Sequence, residues 1–217
     1  SRAVANLSEL RFAPSDIVLL LRYAFREVDE QRLAAVALAA LGELHDQCTR
    51  FGERLILRDH AHSQYCLGEA ASDALTLRQL AARIAPVRGV VTVRDPIDSF
   101  LSVHRNGWLH FRPGTIEEYA RRYLAFLDDH ADLPLFRYED LVAAPEAVAE
   151  ELCTALALPF DPMVLDLLGA VRMTGDSGRF GTRIAPRPRQ EMPSEIAAAA
   201  ATSESFRALR LRLGYDG

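Results

Sequence analysis

Three short apolar runs, each ending in polar residues and spaced by stretches of helical pattern, restrict what this chain can fold into. They are Arg54-Leu-Ile-Leu-Arg-Asp59, Gly89-Val-Val-Thr-Val-Arg-Asp95 and Leu133-Pro-Leu-Phe-Arg-Tyr138. The first two are near-continuous apolar runs, as in strands covered on both faces of a parallel sheet. Strands separated by helices pair in parallel through right-handed crossovers, with helices packed on the sheet. The pattern therefore predicts an α/β fold, a three-layer α/β/α arrangement around a central parallel sheet.

Local signals set the expected helices. Asp95-Pro96 is an N-cap followed by proline at the first helical position, opening a helix to about Arg105. Thr115-Ile-Glu-Glu118 resembles a capping box ahead of a helix to about Asp129. Asp73 is expected to cap a helix running to about Ile84, and Pro145 to Leu156 is amphipathic. Ser15 to Val28 and Glu30 to Thr49 read as two helices, and Ser194 to Leu213 as one that stops at Gly214. Met173 to Pro193 holds three Gly, three Pro and four Arg without any hydrophobic period, so it reads as a long loop. Loops of that length in a compact domain are usually functional or mobile.

Size and composition bound the rest. A chain of 217 residues with 49% hydrophobic residues supports one core, and residues 1–217 are expected to form a single domain. Residues 1–50 would be a helical, acceptor-side region and 51–217 the core. The longest apolar stretch, Leu33 to Leu41, falls short of the roughly 18 residues of a membrane span. A net charge of −5 argues against general nucleic-acid binding. Cys48, Cys66 and Cys153 form no pair or cluster, which fits a reducing cytoplasm and no structural zinc. All 25 basic residues are arginine, so a phosphate loop built on lysine is excluded. The sequence opens at Ser1 with no signal pattern, so it reads as trimmed at its front.

In parallel sheets ligands bind beyond the carboxyl ends of the strands. Here those ends carry Arg58-Asp59-His60, Arg94-Asp95 and Arg137-Tyr138-Glu139-Asp140, with His62 just beyond the first. An arginine at each end points to an anionic ligand held locally. Arg94, Ser99 and Ser102 at the start of a helix suit a phosphate, or they are the polar face of a capped helix whose Arg94 pairs with Asp95 or Asp98. His60 is placed for a general base, or makes a structural hydrogen bond. Tyr138 can stack on a base or pack as an ordinary strand-end tyrosine. Glu139 and Asp140 can orient a ligand, or Asp140 caps the next helix. Arg179 is a ligand contact or a solvated loop arginine. Trp108, His110 and Phe111 can touch an apolar acceptor or merely pack a loop.

Taken together these segments resemble the sulfotransferases that use 3′-phosphoadenosine 5′-phosphosulfate (PAPS). Val90-Val-Thr-Val-Arg-Asp-Pro-Ile-Asp-Ser-Phe-Leu-Ser-Val103 is similar to that family's 3′-phosphate motif, with Arg94 and, eight residues on, Ser102 in the binding positions. Phe136-Arg-Tyr-Glu-Asp-Leu-Val-Ala-Ala-Pro-Glu146 resembles the segment after the next strand, which puts Tyr138 near the adenine. Thr174-Gly-Asp-Ser-Gly-Arg179 and Ile184-Ala-Pro-Arg-Pro-Arg189 resemble the late loop of bacterial members that closes over the nucleotide, implying contacts from Ser177, Gly178 and Arg179. The ending Leu211-Arg-Leu-Gly-Tyr215 is also similar.

The resemblance implies a P-loop nucleotide-hydrolase-like sulfotransferase fold and transfer of a sulfuryl group to a hydroxyl or amine of a small-molecule or sugar acceptor. It maps the general base onto His60, with His62 in reserve, and the cation that steadies the leaving phosphate onto Arg58. No metal is implied. The family's first strand and its Ser-Gly-Thr-Thr-like loop for the 5′-phosphosulfate have no counterpart in the sequence, so that element is expected to lie upstream, to be unordered, or to be lost. Loss would leave an inactive nucleotide-binding or scaffold module. A magnesium-dependent phosphotransferase is a further alternative, disfavoured by the missing lysine and the lack of an aspartate pair. A homodimer and a segment of a larger protein both remain open.

Overall fold

The structure, a computed structural model, describes residues 29–61, 65–68, 75–170, 184–186, 189 and 191–215. These fall into two compact units, residues 29–87 and residues 88–215.

In the 29–87 unit, α1 spans Glu30–Arg50 and α2 spans Leu77–Ala82. The carboxylate of Asp29 caps α1, accepting from the Gln31 N–H at 2.9 Å. Leu33, Ala37 and Leu41 recur every four residues, and these are the positions α1 buries. Ala37 and Leu41 join Leu77 and Leu80 of α2 in one apolar cluster. The α2 helix starts at Leu77, with Thr76 rather than Asp73 as its cap; residue 73 itself lies outside the described residues. Thr76 and Gln79 form a full capping box, Gln79 N–H to Thr76 Oγ1 at 3.1 Å and Thr76 N–H to Gln79 Oε1 at 2.8 Å.

The expected strand over Arg54–Asp59 is not formed. Residues 53–60 have no regular structure, with Ile56 67% exposed and Arg58 on the surface. Leu57 leans onto the α1–α2 cluster. A strand exists only through a paired neighbour, and none of the described residues forms one with this segment.

In the 88–215 unit, β1 (Val91–Val93) pairs in parallel with β2 (Leu135–Arg137), with Val91, Thr92 and Val93 opposite Leu135, Phe136 and Arg137. Val91 and Val93 are buried while Thr92 is exposed. Between the strands run α3 (Pro96–Arg105) and α4 (Ile116–Asp129). After β2 come α5 (Tyr138–Ala143), α6 (Pro145–Ala155), the short α7 (Met163–Asp166) and a 3-10 turn at Leu167–Ala170. The α8 (Ser194–Thr202) and α9 (Glu204–Leu213) helices follow. The described part of the chain is thus an α/β fold, mostly helical, with a small parallel sheet.

The core of this unit joins α3, α4 and α9. Phe100 and Tyr119 meet with ring centroids 5.3 Å apart, and Leu209 is wholly buried. Each such side chain stabilises the fold by about 1.5–3 kcal/mol through burial. Thr115 caps α4, but Glu118 does not close the box. Its carboxylate instead takes Arg121 at 2.7 Å and the buried Arg122 at 2.6 Å, because a buried guanidinium needs a counter-charge.

The single expected helix over Ser194–Leu213 is two. Ser203 adopts an extended conformation (φ −74°, ψ 119°) and its hydroxyl accepts from the Phe206 N–H at 3.0 Å, capping α9. That hydroxyl also donates to Glu117 Oε2 at 2.5 Å, and the Ser205 N–H donates to the same oxygen at 3.2 Å. A carboxylate from α4 therefore supplies what the interrupted helix loses. Gly214 ends α9 with φ +74°, a conformation glycine adopts without strain.

Candidate functional site

Parallel pairing of β1 and β2 brings their carboxyl ends side by side, and the residue after each strand carries chemistry. Beyond β1 is Arg94, then Asp95 as the cap of α3, its Oδ1 accepting from the Ile97 N–H at 3.0 Å. Pro96 follows at the first helical position, where its missing N–H costs nothing. Beyond β2 is Tyr138, the first residue of α5.

The Arg94 guanidinium lies over the Tyr138 ring, 5.8 Å from its centroid, a cation–π distance. Its Nη2 is 3.5 Å from Asp98 Oδ2, one turn into α3. Its Nε is buried and has no hydrogen-bond partner among the described residues. Ser102 stands one further turn along α3 from Asp98 and is half-buried, as is Ser99. Ile97, Phe100 and Leu101 are buried, whereas His104 is exposed, its ring centroid 6.1 Å from that of Phe100. The tip therefore brings together a cation, a ring and the positive end of a ten-residue helix, with Ser99 and Ser102 further along that helix.

The described parts of the late loop reach the same tips. Tyr138 O–H donates to the Ala185 carbonyl at 3.4 Å, and Arg189 Nη2 donates to Asp95 Oδ2 at 2.6 Å. Ser177, Gly178, Arg179 and His62 lie outside the described residues.

Arg58 and His60 are exposed and belong to the 29–87 unit, whereas Arg94, Ser102 and Tyr138 belong to the other. The His60 N–H donates to the Asp59 carboxylate at 2.7 Å. Phe111 is wholly buried with the Arg122 guanidinium 5.3 Å from its ring centroid, so it packs the core. Trp108 is half-buried and His110 exposed.

Of the two acids after β2, Asp140 does not cap a helix. It takes a two-pronged grip from Arg137, Nε to Oδ2 and Nη2 to Oδ1, both at 2.8 Å. Those hydrogen bonds hold the Asp140 carboxyl below its usual range and raise Arg137. Glu139 ties the tips together, accepting from the Asp95 N–H at 3.1 Å and from the Tyr215 O–H at 2.5 Å. Burial pushes the Tyr215 phenol well above its ordinary pKa, and the bond to Glu139 adds to the shift. Arg210 Nη1 lies 3.8 Å from Asp95 Oδ1. The roles of Tyr215 and Arg210 were invisible in sequence, since both act on residues more than 70 positions away. The Arg137–Asp140 pair, three residues apart, was open to reading.

Among the described residues no group of three or more His, Cys, Asp and Glu is arranged to hold a metal ion. No described helix is long and apolar enough to cross a membrane. No curated protein and no solved structure matches the chain significantly. The family model described as "Sulfotransferase family" matches residues 21–162, a stretch holding both strands, Arg58, His60, Arg94, Ser102 and Tyr138. That match spans well over half of the sequence, and the chain belongs to the sulfotransferase family.

Proposed function

We propose that the protein transfers a sulfuryl group from PAPS to a hydroxyl or amine of a small-molecule or sugar acceptor. The observation that carries this reading is Arg94, whose buried Nε has no partner among the described residues, beside the Tyr138 ring at the paired strand ends. A guanidinium with a spare donor suits a phosphate dianion, and a ring 5.8 Å away suits the attached base. In this reading Arg94 and Ser102 hold the 3′-phosphate, Tyr138 lies along the adenine, and Ser177, Gly178 and Arg179 cover the nucleotide. The chain completes a single three-layer domain around it.

The reaction needs no metal in this account. As with phosphoryl transfer, the demands are in-line positioning and compensation of charge on the leaving oxygens. Arg58 steadies the leaving 5′-phosphate. His60 accepts the acceptor's proton as its oxygen or nitrogen bonds to sulfur and the sulfur–oxygen bond to the nucleotide breaks; His62 stands in reserve. Such a base contributes about 10²–10⁴-fold.

Titration calorimetry of the 217-residue chain with adenosine 3′,5′-bisphosphate and with AMP tests the nucleotide part. Tighter binding of the bisphosphate is expected. Equal affinity would remove the 3′-phosphate assignment.

A further inference from the structure

The two strand ends carry their proposed ligand contacts and their structural anchors on neighbouring residues. Arg94 and Tyr138 are the proposed contacts. Asp95 and Glu139, the very next residues, are joined by the hydrogen bond from the Asp95 N–H to Glu139 Oε1 at 3.1 Å. The other oxygen of Glu139 accepts from the Tyr215 O–H at 2.5 Å. Tyr215 is itself fixed from several directions. The Arg137 guanidinium lies 5.6 Å from its ring centroid, and Arg137 Nη1 donates to the adjacent Gly214 carbonyl at 3.3 Å. Arg210 donates to the Tyr215 carbonyl while its Nη1 stands 3.8 Å from Asp95. The segment after α9 thus reaches both strand ends at once.

We propose that Tyr215, acting through Glu139, is a positioning residue that sets the spacing between Arg94 and Tyr138 and so governs the grip on a ligand carrying both a base and a 3′-phosphate; this rests on the nucleotide reading above. Glu139 has two donors aimed at its two oxygens, and no rotation of its carboxylate changes one bond without the other. Losing the Tyr215 O–H frees the carboxylate to turn. That loosens the Asp95 backbone beside Arg94 and the α5 start that carries Tyr138. Only a ligand that spans both residues senses their spacing. AMP, which lacks the 3′-phosphate, does not. A purely structural Tyr215 would instead affect stability and both ligands alike.

The test uses the full chain as wild type, Tyr215→Phe, Glu139→Gln and the double variant. The Phe variant keeps the ring under Arg137. The Gln variant keeps one acceptor where two donors arrive. Each is titrated calorimetrically with adenosine 3′,5′-bisphosphate and with AMP, and melting is followed by fluorescence of Trp108. Each single variant is expected to weaken bisphosphate binding about fivefold, part of what a charge-assisted hydrogen bond is worth, with AMP affinity unchanged. The double variant should be no weaker than the worse single, because both changes break one linkage. Unchanged bisphosphate affinity in both single variants overturns the inference, as does equal weakening for the two ligands or additive losses in the double variant. A wild type that binds the two ligands alike overturns the nucleotide reading, and this inference with it; that result shows in the wild-type titration alone.

Discussion

Asp95 holds three groups with one carboxylate, so its replacement separates a helix cap from a charge. Its side chain is 3% exposed. Oδ1 caps α3 through the Ile97 N–H, Oδ2 takes Arg189, and Arg210 stands at 3.8 Å. Asp95→Asn preserves the cap, since Asn caps as well as Asp. It loses only the charge facing the arginines and turns an amide donor towards them. Arg189 is 71% exposed and can return to water, so its pair is worth at most about 1 kcal/mol. Arg210 is more enclosed, 25% exposed, but at 3.8 Å it makes no close hydrogen bond. Together these give a loss of about 1 kcal/mol for Asp95→Asn. Asp95→Ala also removes the cap, a further 1 kcal/mol or so, and should cost about 2 kcal/mol in all. The sole tryptophan, Trp108, lies in the 88–215 unit, so urea unfolding followed by its fluorescence reports on that unit. Equal losses for the two variants, or a larger loss for Asn, would refute the division between cap and charge.

Three further outcomes are expected. Glu117 is held below its usual 4.5 by hydrogen bonds from Ser203 and Ser205. A carboxyl lowered in the native state stabilises fully above its unfolded pKa and loses that contribution as pH falls through the native one. Wild-type stability should therefore decline as pH falls below about 4.5 and on through the lowered native pKa. Glu117→Gln should be about 1 kcal/mol less stable at pH 7, discounted for its exposure, with a shallower acid dependence; parallel pH profiles from urea melts would contradict this. Leu209→Ala should cost about 2–5 kcal/mol by the same melts, because Leu209 is fully buried between α9 and its neighbours. His60→Ala should reduce single-turnover sulfuryl transfer by about 10² or more while sparing bisphosphate affinity; retention of more than about a tenth of the rate would pass the role to another residue.

The helices that build the nucleotide side were legible because their signals are local. Asp95-Pro96 fixes the start of α3, Thr115 that of α4, and Gly214 the end of α9. What failed was non-local. Arg54–Asp59 has a strand's composition, but a strand needs a partner, and composition cannot supply one. The break at Ser203 was hidden because alanines, serine and glutamate pass as continuous helix; Glu117, 86 residues away, makes the interruption favourable. In the same way Arg94 and Tyr138 could be read as residues but not as a stacked pair, which depends on the β1–β2 register. From sequence, Glu139 is a candidate for orienting a ligand. Its observed partners, Asp95 and Tyr215, lie 44 residues before it and 76 after it.

The central claim is that Arg94 meets a 3′-phosphate. The most direct measurement is the affinity of Arg94→Ala for adenosine 3′,5′-bisphosphate relative to AMP, beside the same ratio in wild type. Removing a guanidinium that hydrogen-bonds a charged group should cost about 1.5–3 kcal/mol, or about 10- to 150-fold in Kd. The account predicts that this whole loss falls on the bisphosphate, so that the variant binds the two nucleotides nearly alike with its Trp108 melting curve little changed. A variant that keeps the wild-type preference, or loses both ligands equally while still folded, would contradict it.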